Sequence, residues 1–330
     1  MLGFTLKRYS CYAFILLTIF FAHQTGRAQS TEKSAKRPED IVLDQLIAAI
    51  DKDDRALLLE ALATGFPADV VDSSGGTLLM QAARAGKINA LRTLLQADAD
   101  PNVVAANGVT ALLLAINGEH VETVTSLLAN GADPNLRGSG LPSALTYAAA
   151  SDNSLIISAL IKGGADLNAK DQRGYDPLEF AFLNKKSTAL KVLRPIYRQR
   201  ENTITNEAFF DAITSKNDAV LIRSLALGFD PVAAIGGKMP LEIAIAGGHS
   251  KGVALLVHAG ANVNQMSKKG IPVWWAALQT KKNQSFDAAT LKTLLRSGAD
   301  TSVKAKGKTA LEFAGSNKDA VAILKANGAR

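Results

Sequence analysis

The 330-residue sequence contains one cysteine, Cys11, and two tryptophans, Trp274 and Trp275. A lone cysteine excludes a disulfide framework and any cysteine-based metal cluster. Aromatic residues make up only 6% of the chain, while alanine and leucine are abundant. That balance favours helices packed closely through small side chains over a β-sandwich. Phosphate-loop spacing is absent too, since Gly236-Gly237-Lys238 lacks the surrounding pattern. Acids are fewer than bases, 30 against 37, for a net charge of +7. The hydrophobic fraction of 47% excludes disorder throughout.

Apart from one stretch, long apolar runs are missing. Cys11 to Ala22 (CYAFILLTIFFA) follows Lys7 and Arg8 and precedes Gly26-Arg27-Ala28. A basic start, a short apolar core and a small-x-small exit describe a secretory signal peptide, with cleavage expected after Ala28. The run is shorter than the roughly 17–25 residues that span a bilayer. Left uncut, it would anchor the chain to a membrane instead. Removing residues 1–28 takes away Lys7, Arg8 and Arg27 and no acid, leaving a mature charge of +4 and no cysteine. Such a chain tolerates an oxidising compartment, so the periplasm or the medium is the expected location. Residues 29–40 (QSTEKSAKRPED) are polar and aperiodic, and read as a flexible leader.

The rest of the sequence follows a ruler. Gly131-Ala132-Asp133-Pro134-Asn135 recurs 33 residues earlier as Asp98-Ala99-Asp100-Pro101-Asn102 and 33 later as Gly164-Ala165-Asp166-Leu167-Asn168. Related signals stand at Gly65, Gly228-Phe229-Asp230-Pro231, Gly260-Ala261-Asn262-Val263-Asn264 and Gly298-Ala299-Asp300. A second motif keeps phase: Thr77 to Ala83 returns at Thr110 to Ile116, Asp176 to Ala181, Met239 to Ala244, Ile271 to Ala277 and Thr309 to Ala314. A glycine two residues upstream opens most copies (Gly75, Gly108, Gly174, Gly237, Gly307), and a second apolar helix such as Val121 to Leu128 follows each. With two motifs in phase, the sequence resembles the ankyrin-repeat family over about residues 41–330, in eight or nine units. The histidine of that family's Thr-Pro-Leu-His tetrapeptide is replaced here by Met80, Leu113, Thr146, Glu179, Glu242, Trp274 and Glu312.

The resemblance implies an all-α fold, an ankyrin-repeat α-solenoid of stacked helix-turn-helix units with short β-hairpin fingers. The residues support this independently. Apolar positions in Val121 to Leu128 fall on one helical stripe. Alanines (Ala82, Ala83, Ala148, Ala149, Ala276, Ala277) occupy positions where helices must approach closely. Glycines after the second helices suit a left-handed stop, and Asp-Pro-Asn suits a turn. One helix pair cannot bury its apolar face, so pairs must stack.

Two places break the ruler. Residues 194–206 lose the glycine turn, and Pro195 is expected to break or kink a second helix. Beyond them Glu207 to Asp230 matches Asp44 to Phe66, Ile213 answering Ile50 and Gly228 answering Gly65. This reads as two blocks, 41–200 and 201–330, or as one continuous array with a degenerate repeat. The other irregular unit carries an insertion at Lys281 to Ser285.

Catalysis and metal binding find little support. The mature chain offers only His120, His249 and His258 as imidazole bases; the first two hold the same repeat phase four units apart. No cysteine or carboxylate pair completes a site around them, and we expect no catalytic, metal or cofactor-binding residues. Asp51, Asp53 and Asp54 read as the polar cap of an end repeat. Trp275 is expected to pack between repeats with Trp274 the more exposed, and Phe209 and Phe210 to be core.

The family binds partners through its fingers and the open side of its first helices. Positions there include Arg84, Arg137, Lys170, Arg173, Lys185, Lys186, Lys238, Lys268, Lys269, Lys304 and Lys306. The strongest protein-binding candidates are Arg84, Arg137, Arg173, Lys185, Lys268, Lys269 and Lys306. A basic face of this kind steers acidic protein surfaces toward it. Nucleic acid is a poor choice of partner because stacking aromatics are few. A membrane enters only if the signal segment stays attached, and the chain is expected to be monomeric. The reading is an exported protein–protein interaction scaffold without catalysis. A dedicated inhibitor, immunity or protective protein for one envelope enzyme or toxin, and a host-directed effector, stand as alternatives.

Overall fold

A computed structural model describes residues 38–330 except 53, 73, 201–203, 235 and 280–285. The signal peptide of residues 1–28, the leader as far as residue 37 and the insertion at 281–285 lie outside the described residues. The fold is all-α, and the chain divides into two compact units, up to Phe180 and from Ala181. The division lies within a helix.

The unit up to Phe180 contains four helix pairs: α1 (Pro38–Asp51) with α2 (Arg55–Ala63), α3 (Leu78–Arg84) with α4 (Ile88–Gln96), α5 (Ala111–Asn117) with α6 (Val121–Ala129), and α7 (Ala144–Ser151) with α8 (Ser154–Lys162). First helices stack in the order α1, α3, α5, α7, and second helices in the order α2, α4, α6, α8. The division falls in α9 (Pro177–Leu183), which the chain follows with α10 (Ser187–Arg200). The unit from Ala181 continues with α11 (Asn206–Thr214), α12 (Asp218–Leu227), α13 (Pro240–Gly247), α14 (Ser250–His258), a 3₁₀ helix (Val273–Leu278), α15 (Ala288–Arg296), α16 (Ala310–Ala314) and α17 (Lys318–Ala326). Here α11 packs on α13, α13 on the 3₁₀ helix and that on α16, while α10, α12, α14, α15 and α17 form the second layer.

Five first helices begin where a hydroxyl caps them. Thr77, Thr110, Ser143, Thr205 and Thr309 accept from the amides three residues on, those of Met80, Leu113, Thr146, Ala208 and Glu312. Three of the residues replacing the family's histidine do a related job. The carboxylates of Glu179, Glu242 and Glu312 accept from the backbone N–H of Asp176 (3.0 Å), Met239 (3.1 Å) and Thr309 (2.7 Å). Second helices end at Gly131, Gly164, Gly260 and Gly298, all with positive φ, which relieves the steric cost a side chain would meet there. Ala82, Ala83, Ala148 and Ala149 are fully buried between first helices, and Val124 and Leu127 are buried from α6. Each buried leucine or valine contributes about 1.5–3 kcal/mol, and only a neighbouring pair supplies its cover.

Several details differ from the sequence reading. The fingers are tight turns closed by single bridges (Val71 with Thr77, Met266 with Pro272, Ala305 with Lys308), and no strand occurs among the described residues. Pro38–Asp40, placed in the leader, form the first turn of α1. Pro195 does not break its helix: α10 runs through it. The ring faces outward with Lys191, where water can meet the carbonyl that lacks an N–H partner, while Leu193 and Tyr197 hold the inner face. Trp274 and Trp275 are both buried, at 0% and 1% exposure, because a 3₁₀ turn replaces the expected first α-helix and carries both rings inward. Trp275 stacks on Phe313, centroids 4.9 Å apart. Phe209 is core, whereas Phe210 is only half-buried. One contact skips a repeat: His258 Nε2, at the end of α14, lies 2.9 Å from the carbonyl of Phe182 in α9, and the rings meet edge to face.

Candidate protein-binding surface

The recurring Asp-Pro-Asn is a tie between repeats. Asn102 donates from Nδ2 to the carbonyl of Gly131 (2.9 Å) and accepts at Oδ1 from the amide of Asp133 (2.8 Å). Asn135 does the same to Gly164 and Asp166, and Asn264 to Gly298 and Asp300. Each asparagine thereby satisfies a carbonyl left over at the end of the next repeat's second helix. At α10 and α12 the tie changes chemistry. Arg198 donates to the carbonyls of Leu227 (2.7 Å) and Gly228 (3.2 Å), and Arg194 to that of Ala226 (2.9 Å). Two guanidinium groups thus hold the C-terminus of α12, where positive charge also suits the helix dipole. Burial and then the adjacent Arg198 push the Arg194 guanidinium below the usual arginine range.

This scaffold presents the fingers. In the unit up to Phe180 they are laced edge to edge. The amide of Ala106 donates to the carbonyl of Ser74 (3.1 Å), that of Gly138 to Gly108 (2.8 Å), and Gln172 Nε2 to Gly140 (2.6 Å). Gly108 and Gly138 come so close that a Cβ on Gly108 would lie 2.6 Å from Gly138 Cα. Asp72 closes the first finger by accepting from Ser74 and Gly76. Burial alone would raise its pKa, but these bonds hold it below the usual carboxylate value.

The predicted cations divide by location. Arg84 ends α3 and Lys185 lies in the α9–α10 turn, so both sit at the inter-helix end of a first helix and not on a finger. Arg84 donates to Gln81. Arg137 and Arg173 are on fingers but engaged: Arg137 donates to the carbonyl of Leu141, and Arg173 pairs with Asp171 (3.6 Å) and faces the ring of Tyr175. Lys170 is shared between Glu179 (3.2 Å) and Asp176 (3.4 Å). With Asp171 and Gln172, Arg137 and Lys170 line a polar cleft of about 340 Å³.

Fingers in the unit from Ala181 are different. Lys268 and Lys269 share one, and Lys306 lies on the last. Lys238, Lys304 and Lys308 stand with them, all six exposed and none in an ion pair among the described residues. A Cβ on Gly237 would come within 3.9 Å of Lys268 Nζ, so that amine reaches the preceding finger. Lys308 was not among the sequence candidates. The signal that could have found it is the lysine directly after the finger glycine, seen also at Gly237-Lys238.

Histidines are structural contacts here. His120 Nε2 lies 3.1 Å from the carbonyl of Arg84, its ring fitted against Gly86 and Gly118. His249 is buried, with Nδ1 facing the carbonyl of Ile213 (3.2 Å) and Nε2 facing Asp218 Oδ1 (2.8 Å). Among the described residues no group of three or more His, Cys, Asp or Glu could hold a metal ion. No described helix is long and apolar enough to cross a membrane.

Comparison with known families decides the identity. Ankyrin repeats in three copies match residues 46–138, and a further ankyrin repeat matches residues 143–172. The chain is an ankyrin-repeat protein. The matched residues run from α1 into the turn ahead of α9, where the sequence motifs are most regular. No curated protein matches the chain. Ankyrin repeats are generic, non-catalytic protein–protein interaction modules, and they imply protein partners in that general sense.

Proposed function

We propose that this ankyrin-repeat protein is an exported scaffold that binds partner proteins through its finger side and performs no chemistry of its own. The observation that carries the binding role is the division of labour in the repeats. Asparagine and arginine ties fix the stack from beneath, leaving exposed finger side chains on a preformed support. Preformed contacts lose little conformational entropy on association. Export rests on Lys7-Arg8, the apolar run to Ala22 and the Gly26-Arg27-Ala28 exit, and places the mature protein in the periplasm or the medium. The absence of cysteine after Ala28 suits such a compartment.

Two measurements test this. Fractionation with sequencing of the mature N-terminus should return a chain beginning at Gln29 outside the cytoplasm; an intact, cytoplasmic Met1 chain would overturn export. Crosslinking and pull-down from an envelope fraction should return specific protein partners, and charge reversal at Arg173, Lys268 and Lys269 should weaken them. Partners retained equally by the reversed protein would remove the basic fingers from the interface.

A further inference from the structure

The unit from Ala181 opens with a cavity that the repeat rule alone does not require. Between α10 and α11 the sequence has no glycine, and Ile204 and Thr205 immediately precede α11. The space beside them is a cleft of about 450 Å³, within the roughly 300–1,000 Å³ typical of ligand sites. One wall is apolar and aromatic, formed by Ile204, Phe209, Phe210, Leu227 and Phe229, and Arg198, Asn206 and Asp230 add polar groups to the rest. Phe210 meets Phe209 edge to face at 5.6 Å, and Phe229 lies 5.7 Å from Phe209, so three rings form one surface of which two remain partly exposed. Buried aromatic clusters open on one side are where interface anchor side chains dock.

The cleft and the lysine fingers belong to one run of chain. Asp230 and Ala233 line the cleft and stand a few residues before Lys238 in the chain. Fingers 232–239, 265–272 and 302–309 carry Lys238, Lys268, Lys269, Lys304, Lys306 and Lys308, and no Asp or Glu. The carboxylates at their margins are tied to backbone: Asp230 accepts from Val232, Asp300 from Ser302, Glu242 from Met239 and Glu312 from Thr309. Unlike Lys170 and Arg173 on the earlier fingers, these six ammonium groups have no anion of the chain on them among the described residues.

We propose that this cleft and lysine row together form a docking site for an extended acidic protein segment that places one Phe, Trp or Leu side chain in the aromatic cleft. This deepens, and rests on, the scaffold reading above. Charge complementarity selects the acidic residues and the ring-lined cleft selects the anchor. Three repeat layers at about 10 Å each separate the cleft from the last finger. That span needs roughly nine extended residues.

Panning a random 12-residue peptide display library on the purified protein tests the assignment. Recovered peptides should combine three or more Asp or Glu with a single Phe, Trp or Leu. Synthetic copies, followed by fluorescence anisotropy, should bind at least tenfold more weakly to Phe210→Ala, with circular dichroism confirming that the variant folds. Lys238→Glu/Lys268→Glu/Lys304→Glu, all on the surface, should weaken them at least tenfold and flatten the salt dependence. Val71→Ser/Val104→Ser, on the earlier fingers, should leave the affinity unchanged. Neutral or basic peptides, or acidic ones indifferent to both sets of changes, overturn the site. Peptides that depend on Val71 and Val104 overturn it while leaving a protein-binding scaffold in place. Displacement of the peptides by phosphatidylglycerol vesicles or by duplex DNA at equal charge also overturns it, since the site would then read charge alone.

Discussion

The fingers up to residue 176 are laced to one another through Ser74, Gly108 and Gly140, and their cations are engaged from within, Lys170 and Arg173 by carboxylates and Arg137 by a carbonyl. Fingers 232–239, 265–272 and 302–309 share no hydrogen bond from finger to finger among the described residues, and their six lysines are unpaired. The ties beneath are more regular. Asn102, Asn135 and Asn264 bond the glycine carbonyl of the following repeat, and where an asparagine is missing Arg198 bonds the equivalent carbonyl of Gly228. The residue type that meets this carbonyl varies, and at Gly260 no side chain meets it among the described residues. Finger charge takes no part in these ties, so it is where partner choice can be written.

The largest effect that would break this comparison lies in the first-helix layer. Up to Phe180 that layer buries alanines between its helices, whereas the 3₁₀ helix substitutes Trp274 and Trp275, whose indole N–H groups have no hydrogen-bond partner among the described residues. Trp275→Ala is expected to cost about 3–5 kcal/mol through the cavity it leaves against Phe313. Hydrogen exchange should show the loss concentrated in α13, α15 and α16, with amides of α3 and α5 unaffected. Uniform loss across the chain would mean that the layers are not locally supported.

Next in size is the arginine tie. Arg194→Ala/Arg198→Ala strips the C-terminal carbonyls of α12 of charged donors, which contribute about 1.5–3 kcal/mol each when fully made. Because these carbonyls can partly turn to water, about 2–3 kcal/mol in total is expected, read as lost exchange protection in α12. A smaller effect is expected for Asn135→Ala, about 1 kcal/mol, because its two bonds are exposed. Equal costs for the arginine pair and the single asparagine would erase the distinction drawn here between the two kinds of tie.

How much of this was readable beforehand follows from where each interaction's partner lies. Thr77, Thr110 and Gly131 announce themselves because capping and left-handed turns are chemistry between near neighbours. Asn102 was visible as a repeated letter, but its bond to Gly131 needs the next repeat in place. Loss of the glycine turn near Pro195 is plain, yet nothing local says that Arg194 and Arg198 replace the missing tie, and the expected break or kink falls where α10 is continuous. The basic candidates were chosen by sign. Lys268, Lys269 and Lys306 are exposed on fingers, Arg173 and Lys170 pair with Asp171, Asp176 and Glu179, and Arg84 and Lys185 lie at the inter-helix end of a first helix. The aromatic cleft was hidden because Phe209, Phe210 and Phe229 look like core in sequence, and only the fold leaves two of them partly open.

The finest difference concerns His120 and His249, which hold one repeat phase in the two units. His120 meets one carbonyl, but His249 also bonds Asp218, which Lys251 pairs at 2.9 Å. Burial by itself would raise the Asp218 pKa; the bonds from His249 and Lys251 outweigh it and hold the carboxyl below its ordinary value. A carboxyl depressed on folding contributes stability that is complete above the unfolded value, about 3.9, and is lost as pH falls through the lower folded value. Native protein should therefore exceed Asp218→Asn in stability at neutral pH, with the gap closing below about pH 4. Because the carboxylate is partly exposed, solvent screening keeps that gap under about 1 kcal/mol. Parallel urea titrations at several pH values, following exchange in α12 and α14, would measure it. A gap that stayed constant down to about pH 3 would show that Asp218 acts through its shape alone, and His249 would then differ from His120 only in depth.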